Sequence, residues 1–503
     1  MYRGAGTLRT FLVVLGSSWF SLILNFVKVL VLPTRLHDGG LGDVYLAISF
    51  TGFFGVFTTL GVSTYMVRAV ARDRTLLDSY ISNAFGLRIV MSAGVLVLVL
   101  AIARLLNYSA ETQAVILILG LQMVLFTISN VFESGLQAMG QMSWRAIATA
   151  IGQMLATGVG VGLLLTGADA ITYALSLPLG TAIQLGIVLV YYFRHHPIKW
   201  SFNRTIVRAL LIGGMPLFLW TFLQSAYGQI DATLLSLFAD KHVIGWFASA
   251  AQITSMLIII PSAVTAVALP VLCELYVRPG NAFDRAANRA TVGTLLVMAP
   301  IGAGLAISSA DLFRLLNYPE VFQNATLPMS LLALALPVTG VMMVVATLAV
   351  AIGQEKQWLK ISVFAVCVFP PLYVVLIWFT QSNMGNGAIG ASLANLLGET
   401  SLLVWGWIVL PKRIRQPEVV RPSLEILALC GAMVLLVAGL RWAGLSILLY
   451  VPAGALFYLV GAWMLKLVTP QDIDLIKETL RRRTHRSAPA TLTPAASLEP
   501  PTL

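Results

Sequence analysis

The sequence predicts an all-α polytopic membrane protein of about fourteen transmembrane helices, and two observations carry that reading. Of its 503 residues, 58% are hydrophobic and only 11% charged, whereas soluble domains carry about 25% charge. The apolar residues also fall in unbroken runs, Ala93–Ala103 and Met433–Leu440 among them, without the period-two alternation of a barrel strand. Lipid offers no partner to a backbone amide. A spanning segment therefore satisfies its own hydrogen bonds, as a helix of roughly 20 residues.

Taken in order, the apolar runs predict helices at 11–35, 43–66, 84–106, 113–136, 146–166, 170–193 and 209–237. The remaining seven fall at 244–269, 289–310, 326–351, 358–380, 386–410, 423–440 and 446–468. Connections are short, the longest polar one being Arg194–Arg208. After the last helix, Ile473, Leu475, Ile476 and Leu480 lie beside Arg481–Arg483, a pattern that suits an interfacial helix. Ser487–Leu503 is rich in Pro, Thr and Ala and reads as a disordered tail.

The formal net charge of +11 finds its explanation in topology. With the N-terminus inside, 25 of the 32 Lys and Arg residues fall in inside segments. Only Arg35, Arg104, Lys241, Arg314 and Arg441 fall outside, and Lys28 and Arg88 lie within helices. This bias satisfies the positive-inside rule with both termini cytoplasmic, in a bacterial inner membrane. It leaves a nucleic-acid partner nothing to explain, while attraction to membrane lipid headgroups is expected. Cys273, Cys367 and Cys430 are too far apart for a metal-spaced pair, and His195–His196 is an isolated doublet. No cofactor or metal site is expected. The apolar stretch near the N-terminus runs on to Leu32 and is followed at once by another, unlike a cleavable signal.

Internal symmetry is the most informative feature. Gly140-Gln141, Trp144 and Ile147 follow the fourth helix, and Gly353-Gln354, Trp358 and Ile361 follow the tenth. Ala170-Ile171, Leu175 and Leu179-Gly180 open the sixth, and Ala388-Ile389, Leu393 and Leu397-Gly398 open the twelfth at the same spacing. Leu36 leads to Gly42 and Tyr45 after the first, as Leu237 leads to Gly245 and Phe247 after the seventh. Six is an even number, so the copies are parallel repeats, an arrangement that places a transporter's site between its halves. The expected organisation is a six-helix lobe at 1–195, a second at 209–411, two added helices within 412–470, and a cytoplasmic segment at 471–503.

Leu32-Pro-Thr-Arg-Leu36, Gly42-Asp-Val-Tyr45 and Leu60-Gly61 through Arg68 resemble the opening of bacterial polysaccharide flippases of the Wzx type. These belong to the multidrug/oligosaccharidyl-lipid/polysaccharide exporter superfamily. Gly245-Trp-Phe247, Leu269-Pro270, Asn317-Tyr318-Pro319 and Asn386-Gly387 through Gly390 extend the similarity over residues 10–410. The resemblance implies translocation of a polyprenyl-diphosphate-linked oligosaccharide, an exopolysaccharide or O-antigen unit, to the outer leaflet. A polysaccharide polymerase and chain-length machinery are the implied partners. An ion-coupled drug exporter and a lipid II flippase share the fold and stand as alternatives. A membrane glycosyltransferase or ligase is disfavoured by the short outside loops, and no GxxxxGK[ST] phosphate loop is present. The chain is therefore not expected to be an enzyme.

Ionisable residues inside the membrane are functional candidates because placing a charge there costs about 2.5–3.5 kcal/mol. Ser18, Ser21, Asn25 and Lys28 fall on one face of the first helix, with Arg35 continuing the line. Such a stripe either faces a wet lumen or, at Lys28, snorkels to the outer headgroups. Thr221, Gln224, Gly228 and Asp231 share a face of the seventh helix, and Ser392, Asn395 and Glu399 one of the twelfth. The expectation is that Lys28, Arg88 and Arg35 attract the cargo's anionic headgroup, with Ser21, Asn25 and Gln224 lining the lumen. Asp231 and Glu399 would bind a coupling H⁺ or Na⁺, or Asp231 would pair with Lys28. Glu133 is read as chemistry of a helix boundary.

Overall fold

The computed structural model describes residues 4–196, 200–411 and 417–467, a few positions within helices by their backbone alone. The expected interfacial helix and the tail lie outside the described residues. Among those described there is no strand. The helices of the first half are α1 (Gly4–Thr59), α2 (Val62–Arg72), α3 (Leu77–Leu105), α4 (Ala110–Ala138), α5 (Met142–Leu165) and α6 (Ala170–His195). Then come α7 (Arg204–Leu235), α8 (Lys241–Leu257), α9 (Ile259–Tyr276), α10 (Ala282–Leu315), α11 (Thr326–Ala351), α12 (Glu355–Met384) and α13 (Gly387–Val409). The last two are α14 (Pro417–Trp442) and α15 (Ile447–Met464).

Twelve stretches among the described residues are long and apolar enough to cross a membrane. They divide the chain differently from the fourteen runs read off the sequence. Trp19–Thr59 counts once among the twelve, yet it holds two helices joined at His37, whose φ is 56°. The Asp38 carboxylate accepts the Gly39 amide at 3.0 Å just after this kink. α7 is not among the twelve, and its Trp220, Gln224, Ala226 and Tyr227 side chains lie outside the description.

The run expected at 43–66 stops at Thr59, because Leu60 and Gly61 take φ of 40° and 66°. A Cβ on Gly61 would stand 2.2 Å from the Gly214 carbonyl oxygen of α7, so only glycine permits this approach. α2 then runs as a separate helix that buries Val62, Met66 and Val70 on one face.

Packing in the first half recurs in the second. α3 packs on α4, α4 on α6, α5 on α6 and α1 on α5; correspondingly α10 packs on α11, α11 on α13, α12 on α13 and α7 on α12. The halves meet through α1 and α8, and there the contact is reciprocal. A Cβ on Gly42 would stand 1.8 Å from the Lys241 carbonyl oxygen, and one on Gly245 would stand 1.9 Å from that of Asp38. Both pairs are related by 203 positions (245 minus 42, 241 minus 38), an offset already present in the repeats. α14 and α15 pack on each other and on α10, around Ile426, Met433, Tyr450 and Tyr458.

Candidate functional site

A cavity of about 500 Å³ opens between α1, α3, α4 and α7. Lys28, Arg88, Thr58, Gln122, Asn130, Thr221 and Ser225 are among its lining residues, and among the described residues no carboxylate lines it. Gly52 and Gly55 of α1 keep the wall low, and Gln229 of α7 packs on Gly52.

Arg88 is only 1% exposed. One Nη donates to the Ser63 hydroxyl at 2.6 Å, and that hydroxyl donates to Asn130 Oδ1 at 2.6 Å. Among the described residues its Nε and other Nη have no hydrogen-bond partner. Guanidinium stays charged when buried, and unmatched donors on a buried cation are costly. This corner of the cavity is therefore built to receive acceptors, most effectively charged ones.

Lys28 is half-buried and lines the same cavity. The rest of the expected stripe disperses. Ser21 donates to Gln153 of α5 at 2.6 Å and to the Ser17 carbonyl. Asn25 and Arg35 are exposed, and neither is among the lining residues. The side chains of Ser18 and Gln224 lie outside the described residues.

Of the two roles expected for Asp231, no ion pair with Lys28 is seen among the described residues. Asp231 accepts the Ala232 amide at 2.7 Å and lies close enough to Tyr45 and Tyr373 to act on both. Tyr373 also lies within electrostatic reach of Glu399, which is 4% exposed. Both acids thus gather around Tyr373, across α7, α12 and α13. Helical spacing places residues on a face but does not say which neighbour that face meets, so Tyr373 gave no signal in the sequence.

Glu133 is corrected, from a boundary residue to a buried one at 2% exposure. It accepts Ser129 Oγ and Gln184 Nε2, each at 2.7 Å, and pairs with Arg145 Nε at 3.2 Å. This network ties α4, α5 and α6. Glu133 falls five residues before the end of α4 at Ala138, which is why it resembles a terminal charge in the sequence.

Where α1 meets α8, Lys241 Nζ bridges Asp43 at 3.4 Å and Glu111 at 2.7 Å. Asp38 receives His242 Nδ1 at 3.1 Å and Trp246 Nε1 at 3.2 Å. These bonds flank the two reciprocal glycine contacts and join α1 to α8.

The fold is similar to that of a lipid II flippase, MurJ, in an inward closed conformation. The TM-score is 0.74 at 17% identity, covering 90% of this chain and 98% of that one. An inward-facing multidrug resistance MATE family transporter of the MOP superfamily aligns at 0.61 and 17%, over 81% and 95%. A eukaryotic MATE transporter, AtDTX14, aligns at 0.54 and 12%, over 84% and 100%. No curated protein matches by sequence. The family model described as polysaccharide biosynthesis protein matches residues 7–276, which hold the whole cavity wall and the seam between α1 and α8. This multi-pass membrane protein, with the fold of the MOP exporter superfamily, belongs to the polysaccharide biosynthesis protein family.

Proposed function

We propose that the chain is a flippase that carries a polyprenyl-diphosphate-linked oligosaccharide across the bacterial inner membrane by alternating access. One observation carries this reading: the cavity presents two cations, Lys28 and Arg88, and no carboxylate among its described lining residues. A lipid diphosphate is anionic and strongly hydrated. Its passage needs cationic, polar walls such as these, where a drug exporter for cationic compounds needs acids. The family's description and the MurJ-like fold support a saccharide on a lipid carrier. Residues 1–195 and 209–411 would rock against each other as lobes, and Asp231 and Glu399 around Tyr373 would bind the coupling H⁺ or Na⁺. A polymerase and chain-length machinery would take up the exported unit.

Reconstitution in proteoliposomes with a fluorescent lipid-linked oligosaccharide tests the reading. Translocation is expected for the wild type and a loss of at least about tenfold for Arg88→Gln, whose lost charged contacts are worth about 1.5–3 kcal/mol. Lys28→Ala is expected to act in the same direction. Full rates in both variants would refute the assignment. Lipid II and a cationic dye supplied as competing cargo separate the other two readings.

A further inference from the structure

A second cavity, of about 690 Å³, lies on the flank of α5 and α6 away from the central one. Its walls are Ile187 and Val190 of α6, and its floor is a ladder of three rings. Trp144 stacks on Tyr191 at 4.4 Å and 28°, and Tyr191 stacks on His195 at 4.4 Å and 30°. Arg194 borders the same space.

The repeat shows that this ladder is not needed by the fold. Trp358 is the counterpart of Trp144 after the tenth helix of the sequence reading. It is buried to 7% exposure, with its ring packed against Gly406 of α13. The residue corresponding to Gly406 at the offset of 218 shared by α6 and α13 (406 minus 188) is Val188, which is itself buried. Val188 leaves no room for an inward-turned indole. Trp144 is turned outward instead, 42% exposed, and Tyr191 and His195, whose counterparts are Val409 and Arg413, extend it into a ladder absent from the second half.

We propose that this flank is a binding site for an anionic phospholipid of the cytoplasmic leaflet. The charge bias puts the start of α5 and the end of α6 on the cytoplasmic side, at headgroup depth, where amphipathic rings settle. Arg194 meets the phosphate, and the negative leaflet favours a cation there. The rings cover the glycerol region, and Ile187 and Val190 take the first part of an acyl chain. The site is separate from the cargo cavity and does not depend on what the protein transports.

The test uses the full chain, delipidated in detergent and titrated with phosphatidylglycerol or phosphatidylcholine of the same acyl chains. Native mass spectrometry counts bound lipid, and thermal unfolding reports its effect. Phosphatidylglycerol is expected to be retained preferentially and to raise the melting midpoint. The double variant Trp144→Ala/Arg194→Gln should lose that preference while unfolding like wild type in phosphatidylcholine. Arg208→Gln, an exposed cation elsewhere on the same side, should keep it. Equal retention of the two lipids, an unchanged preference in the double variant, or an equal loss in Arg208→Gln would overturn the proposal. So would preferential capture of an isoprenyl diphosphate at the flank, which would assign it to cargo.

Discussion

Arg88 and Glu133 are two buried charges resolved in opposite ways. Glu133 is saturated by Arg145, Gln184 and Ser129, so its role is to hold three helices together. Removing Arg145 leaves that carboxylate short of its cation, and breaking such pairs is strongly destabilising. Because Arg145 is part-exposed, Arg145→Ala is expected to cost about 2 kcal/mol, seen as a lowered melting midpoint. Glu133→Gln still accepts from Gln184 and should cost about 1 kcal/mol. Arg88 is under-satisfied instead and faces a cavity. Arg88→Gln is therefore expected to unfold close to wild type while transport falls. A large fall in the melting midpoint would make Arg88 a structural residue.

At the scale of elements, glycines decide where helices from the two halves touch. Gly42 and Gly245 let α1 and α8 meet backbone to backbone on one side, and Gly61 and Gly214 let the start of α2 meet α7 on the other. A side chain at Gly42 would collide with the Lys241 carbonyl, which no rotamer relieves. Gly42→Ala is expected to weaken the seam by about 1–3 kcal/mol, the usual scale of overpacking. With the native cysteines replaced, a reporter cysteine at Thr51, buried beside the cavity, should then react faster with an external thiol reagent. An unchanged rate would show that the seam closes without this contact. The helices themselves were legible in the sequence because apolar runs and short polar links mark them. The break at His37 falls in the link expected between 35 and 43. The stop at Leu60–Gly61, inside the run expected at 43–66, did not show in hydropathy, because it depends on a close approach to α7.

For the whole molecule, two features would have to rearrange in a transport cycle under the proposed function. They are the seam where α1 meets α8 and the cavity between α1, α3, α4 and α7. If the two halves rock as proposed, locking the seam should stop transport without unfolding the protein. A disulfide between cysteines at Asp38 and Trp246, whose side chains meet in the seam, is expected to abolish translocation under oxidation and restore it under reduction. Transport that continued in the oxidised protein would rule out motion at this seam. α14 and α15 stand apart, docked on α10. Their absence from the sequence repeat agrees with their position at the edge of the packing.

By itself, the sequence determined that this chain is a multi-pass helical membrane protein, and it nominated a six-helix repeat and the charges Lys28, Arg88, Asp231 and Glu399 as expectations. Those properties follow from composition, periodicity and spacing, which are local. Tertiary structure decided which charges keep company. It placed Lys28 with Arg88 on one cavity, gathered Asp231 and Glu399 around Tyr373, and turned Glu133 into a joint between helices. The reason is physical. A helix fixes the direction of each side chain about its own axis, but the neighbour that side chain meets depends on how separate helices pack, and here glycine contacts far apart in the chain set that packing.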